Sequence, residues 1–166
     1  MDVTVATLNQ QVGSTPFVRL QLQLAPVLYT CRKLLAQPSP AIDLLTTATN
    51  AYALAARLAF ETRDDETAMA LYQNAETTAA RLPDHSHLAA VRTSHTMVTL
   101  HATNNLTAAL ILARAATHDA HRGPSHAIRA RAHAVHAEVQ ARAGNPTAAA
   151  TALDRAWKTV EQLSPD

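Results

Sequence analysis

Apolar positions spaced three and four residues apart recur along the chain from about residue 17, interrupted by short polar breaks. That is the period of a helix with one buried face. Thr15-Pro16 reads as the cap and first-turn Pro of a helix running to about Ala36, with Phe17, Leu20, Leu24, Val27, Leu28 and Leu35 apolar. Pro26 falls inside it and is expected to kink or split it. Ser39-Pro40 opens a second helix to about Thr62, whose stripe is Leu44, Ala48, Ala51, Tyr52, Ala55, Leu58 and Ala59. Asp64 caps a third, with Ala68, Leu71, Tyr72, Ala75 and Ala79 on one face, ending before Pro83. A second hairpin pairs residues 86–103 with 105–121 and stops at Gly123-Pro124. A last one pairs residues 125–143 with a helix opened by Asn145-Pro146, the clearest cap signal in the chain. Residues 1–14 show no helical period and are expected as a poorly ordered or short extended arm, leaving residues 15–166 as one helical repeat domain of about seven helices.

One phrase occurs three times: a turn residue, an Ala five positions later, another Ala seven further on, then a Pro. It starts at Arg63 (Ala68, Ala75, Pro83), at Asn104 (Ala109, Ala116, Pro124) and at Gly144 (Ala149, Ala156 and, one residue late, Pro165). The starts lie 41 and 40 residues apart. A fixed period of this length is the signature of stacked helical hairpins, so the expected fold is an all-α superhelix. Ala at successive turns of one face lets two helix axes approach closely, and a Leu at Ala109 or Ala149 is expected to overpack that seam.

Composition agrees. Roughly one residue in five is Ala, aromatics are 4% and only three Gly occur, which supports close helix packing and argues against a many-stranded sheet. A formal net charge of +1 gives no whole-protein argument for nucleic acid or an anionic membrane. The single Cys31 excludes an internal disulfide, no apolar run is long enough to span a bilayer, and the first residues do not resemble a secretory signal, so a cytoplasmic protein without a membrane or nucleic-acid partner is expected.

The stretches AGNPTAAATALDRAW and AYALAARLAFETRDDETAMALYQNA resemble the tetratricopeptide family, specifically the longer-helix variant that forms the C-terminal half of many actinobacterial XRE-type transcriptional regulators. The resemblance covers roughly residues 42–163. Tyr52 fits the large packing residue of a first helix, and Thr93 and His133 occupy the matching places. About 40 residues precede the repeats, with no basic recognition helix, so the chain reads as a free-standing sensor module or a piece of a larger regulator. The family presents the first helix of each hairpin to a concave groove. The resemblance therefore implies a binding face made of Asn50, Arg57, Phe60 and Glu61 from the first hairpin, Ser94, Val98 and His101 from the second, and Arg131, Glu138 and Arg142 from the third. Such a face suits a peptide, a partner protein or a small signalling ligand, and no cofactor is expected.

Nine His residues offer the other candidate chemistry. His118 and His121 lie three apart on one helix, and His133 and His136 three apart on the next, a spacing that suits metal ligation across a hairpin interface. No second Cys or HExxH motif accompanies them, and Asp119 is expected to point away from its neighbouring pair, so exposed helix positions are the plainer reading. An accessory or catalytic protein built on these helices is the alternative function. No Gly-rich phosphate loop or GxSxG is present, Cys31 reads as a buried inert thiol, and Asp64, Asp65 and Glu66 suit capping and dipole compensation. Trp157 with Val160 and Leu163 is expected to close the core; exposed, the same residues would form a subunit interface, and Phe17, Leu20 and Leu24 of the first helix would cap the stack or pair with a second copy in a homodimer.

Overall fold

The computed structural model describes residues 2–162, so Leu163 and Pro165 lie outside the described residues. The chain divides into two compact units, residues 1–82 and 83–166. The first holds α1 (Asp2–Gln10), α2 (Phe17–Leu35), α3 (Ile42–Glu61) and α4 (Asp65–Ala79). The second holds α5 (His85–Val98), which runs on into a π-helical turn (Thr99–Thr103), then α6 (Leu106–Arg122), α7 (His126–Arg142) and α8 (Pro146–Glu161). The fold is all-α, with consecutive helices packed on one another within each unit. No helix among the described residues is long and apolar enough to cross a membrane.

In the first unit, α3 packs on α4 as a hairpin and against α2 and α1. The N-terminal segment corrects the expectation of an extended arm. It is helical, with Val5 and Leu8, three residues apart, buried at only 3% and 5% exposure. Two anchors are too few to display a period in the sequence, and packing on α3 and α2 holds the helix in place. Pro26 does not split α2 either. It lies on the exposed face, where water can satisfy the carbonyl that its missing N–H leaves free, while Leu20, Leu24, Val27 and Cys31 line the buried face. Leu20 and Leu24 are thus core of their own unit rather than a free cap, and α2 shows solvent Val18, Leu22 and Tyr29 instead. Ser39-Pro40 also falls short of its expected role: α3 begins at Ile42 after Ala41, without a side-chain cap.

The three turns that start the repeated phrase share one backbone state. Arg63, Asn104 and Gly144 have φ of 63°, 51° and 77°, all left-handed. At the end of α3 the Asp64 N–H reaches back to the Ala59 carbonyl at 2.9 Å and the Arg63 N–H to Phe60 at 3.0 Å. The end of α7 repeats this, with Asn145 N–H to Gln140 at 3.0 Å and Gly144 N–H to Ala141 at 3.1 Å. Each is the six-to-one closure of a helix by a left-handed residue. The next residue then starts the following helix: Asp64 accepts from the Thr67 N–H and Asn105 from the Ala108 N–H. Asn145 differs from expectation here. It stands at the cap position, but its side-chain amide donates to Gln140 Oε1 at 3.0 Å and leaves the first turn of α8 without a side-chain cap.

The π turn explains why the repeat period is 41 and then 40. From the cap Asp84 to left-handed Asn104 is twenty residues, whereas from the cap Ser125 to Gly144 it is nineteen. The stretches from Arg63 to Asp84 and from Asn104 to Ser125 are equal, so the extra residue lies between Asp84 and Asn104, on α5 and the π turn that continues it. An added residue inside a helix widens one turn from four to five residues, which is a π turn.

The second unit is built on alanine. Ala89, Ala116, Ala120 and Ala132 form one buried cluster where α5, α6 and α7 meet, and Leu100, Ala109, Ala113 and Val139 form another. Of the repeated alanines, Ala68, Ala75, Ala109, Ala116 and Ala156 are buried, whereas Ala149 is only half-buried. Gly123 serves close approach rather than a left-handed turn: a Cβ there would stand 2.2 Å from Ser86 Oγ.

Candidate functional site

The residues expected from the first helices of the hairpins fall into two groups, one per unit. On α3, Asn50, Arg57 and Glu61 are exposed at spacings of seven and four, so they share one helix face, and Phe60 is half-buried beside them.

In the second unit the expected residues meet across α5 and α7. An Arg131 guanidinium N–H donates to Ser94 Oγ at 3.1 Å. Seven residues further along each helix, the Glu138 carboxylate accepts from Arg142 at 3.0 Å and lies 3.9 Å from His101 Nε2. The repeat of seven places both crossings on the same face, two turns apart. His101 sits on the π turn, so the added residue sets the direction in which its ring projects. Arg131, His101 and Arg142 are exposed, and Ser94 and Glu138 half-buried. Val98 is corrected: at 4% exposure it belongs to the core beneath this face and not to the face itself.

The histidines separate. His121 and His133 meet, Nε2 to Nε2 at 3.0 Å, with ring centroids 5.1 Å apart and the planes crossed at 66°. His136 hydrogen-bonds Gln140 instead, at 3.1 Å, and His118 is exposed. Among the described residues no three His, Cys, Asp or Glu side chains gather in a geometry that suits a metal ion. His133 stands forty residues after Thr93 and eighty-one after Tyr52, and all three are buried, so it fills a packing position of the repeat. Its Nδ1 is buried without a partner. A neutral His133 that donates Nε2–H to His121 leaves Nδ1 as an unfilled acceptor, which costs less than a stranded donor. Burial first, then the positive surroundings of His121, Arg155, His136 and Arg129, push its pKa down to about 4. Burial and neighbouring arginines lower His121 and His136 as well.

Three features escaped the sequence reading. Asp119, expected to point away from the histidines, does so and enters the interior, where it is 3% exposed and paired with Arg92 of α5. An open recess of about 410 Å³ lies at the start of α8, lined by Arg114, Gln140 and residues 144–148. Trp157 does not close the core: it is 62% exposed, and Leu153 and Val160 are exposed on the same side of α8.

These elements define an all-α protein of consecutive helical hairpins with a polar face across the first helices of its second unit. No family model matches the chain, and no curated protein sequence does. Among solved structures it is similar to BtubC (BKLC) from P. vanneervenii, at 14% sequence identity over 96% of this chain and 80% of that chain, with a TM-score of 0.59. At that identity the likeness is one of fold.

Proposed function

We propose that this protein is a non-catalytic, tetratricopeptide-like binding module that holds an extended, acidic peptide segment along the α5–α7 face, as a sensor or regulatory part of a cytoplasmic system such as transcriptional control. The observation that supports this reading most is the pair of polar crossings, Ser94–Arg131 and His101–Glu138–Arg142, lying on exposed surface two turns apart. Polar side chains held in fixed geometry on adjacent rigid helices present preorganised donors to a ligand. Arg131 and Arg142 are eleven residues apart on α7, about 16 Å along a helix axis, which an extended peptide of about five residues spans. Two arginines suit carboxylate or phosphate groups at the two ends of such a segment.

Supporting the scaffold role of the histidines, His133 occupies a packing position and both nitrogens that meet at the seam face each other rather than a shared ligand. The test is fluorescence polarisation with labelled pentapeptides carrying Asp, Glu or phosphoserine at both ends, compared with Lys-ended controls. Binding by the acidic set, weakened about tenfold or more by Arg131→Ala and by Arg142→Ala, is expected for a charge-assisted contact. Equal binding of acidic and basic peptides, or insensitivity to both substitutions, would overturn the assignment.

A further inference from the structure

Forty residues before Leu153, Trp157 and Val160 of α8 stand Ala113, Thr117 and Ala120 of α6. On α6 this strip is the seat of α7: Ala120 packs with Ala132 in one buried cluster and Ala113 with Val139 in the other, and Thr117 is half-buried between them. On α8 the same register carries three larger apolar side chains that no described residue covers, at 48%, 62% and 39% exposure. The packing surface of the stack thus continues onto α8, enlarged and open. Spacings of four and three along Leu153, Trp157 and Val160, with exposed Ala150 three residues earlier, make the narrow seam by which two helices pair.

We propose that this seam is the docking surface for a second copy of the chain, α8 against α8, about a two-fold axis at Trp157. Two observations favour a second copy as the occupant. The first is continuity. α6 and α7 are joined by only three residues, so they run antiparallel, and a two-fold axis across α8 reproduces that antiparallel relation for the next helix in line. The second is the symmetry of the strip: Leu153 lies four residues before Trp157 and Val160 three after it, so in the antiparallel pair Leu153 of one copy meets Val160 of the other while the two indoles meet at the axis. The charged row Asp154, Lys158 and Glu161 lies beyond the seam and stays in water, with Asp154 and Lys158 already paired at 2.7 Å within one helix.

Trp157 is the only Trp in the chain, so its emission reports this interface directly. Sedimentation equilibrium over rising concentration, with tryptophan emission recorded on the same samples, should show mass moving from 17.8 kDa toward twice that while the emission shifts to the blue in step. Leu153→Glu and Trp157→Glu should each weaken association by roughly a hundredfold or more, as loss of a central anchor does. Both sites are exposed, so far-ultraviolet circular dichroism should be unchanged. Leu22→Glu on α2, where Leu22 is 71% exposed, serves as the control and should leave association intact. A monomer at every concentration, a dimer that persists in Trp157→Glu, or loss of the dimer in Leu22→Glu alone would each overturn the proposal.

Discussion

Lowering the pH should destabilise this protein through one buried ring. In the folded chain His133 resists protonation to a pKa of about 4, against an ordinary value of 6.5. Between those values the unfolded chain binds a proton that the folded one refuses, so stability rises with pH across that window. The stability present above pH 6.5 is lost progressively as the pH falls to 4. At 1.36 kcal/mol per pH unit the difference corresponds to about 3 kcal/mol, a large share of the 5–15 kcal/mol typical of a folded domain. The geometry supports this direction independently. Nδ1 of His133 is buried without a partner, so a proton placed there has no acceptor, and the charged groups around the ring, Arg129 and Arg155, are positive, as protonated His121 and His136 would be. His121 and His136 are lowered too and act in the same sense. The assay is urea denaturation at intervals from pH 7 to 4.5 for the wild type and for His133→Leu, which fills a buried position with a side chain that cannot titrate. Wild-type stability should fall steeply below pH 6.5, and the variant should keep at least half of what the wild type loses. At pH 7 the two should agree within about 1.5 kcal/mol, since the volumes are similar and a poorly satisfied polar group has been removed. Parallel stability profiles for the two proteins across this window would show that His133 does not carry the pH dependence.

Further outcomes follow from the turns, the alanine seam and the buried ion pair. Arg63→Gly should stabilise the fold by about 1 kcal/mol because φ of 63° strains a side-chain-bearing residue, whereas Gly144→Ala at φ of 77° should cost about 1 kcal/mol; thermal melts of the two variants, moving in opposite directions, check this. Ala109→Leu, fully buried between helices, should cost about 1–3 kcal/mol, while Ala149→Leu, half-buried, should cost under about 1 kcal/mol, as measured by chemical denaturation. Arg92→Met leaves the buried Asp119 carboxylate stranded and should cost about 3 kcal/mol, more than Asp119→Asn, which leaves a partly exposed guanidinium in reach of water; equal losses at pH 7 would contradict that asymmetry.

Much of the fold was legible because it is periodic. The turn residue of the phrase marked the three left-handed positions even where it was Arg63 or Asn104 rather than Gly, since the spacing of the alanines located them without help from residue type. What could not be read depended on tertiary packing. Two buried residues, Val5 and Leu8, suffice to hold α1 but make no visible period, and Asn145 offers a cap that Gln140 captures first. The π turn was present in the sequence as a one-residue difference between two periods, a signal that takes on meaning once the caps are known. In the candidate site, Ser94, His101, Arg131, Glu138 and Arg142 were reached through the expected hairpin alignment, and the crossings between them confirm that they are neighbours. Val98 was misplaced because the added residue in α5 shifts register close to it, and the burial of Asp119, which does turn away from the histidines as expected, was not legible because a charged residue on a helix says nothing about the partner that makes its burial tolerable. The expectation for Trp157 followed the ordinary rule that a large aromatic is buried, which fails on a helix face that no described residue covers.

On the proposed function, the α5–α7 face, and not the histidine seam, is where the acidic peptide binds. Amide chemical-shift mapping on the 17.8 kDa chain, titrated with the tightest acidic pentapeptide, tests it residue by residue. Shifts concentrated at Ser94, His101, Arg131, Glu138 and Arg142 are predicted. Shifts confined to α6 and α8, or centred on His121 and His133, would contradict it.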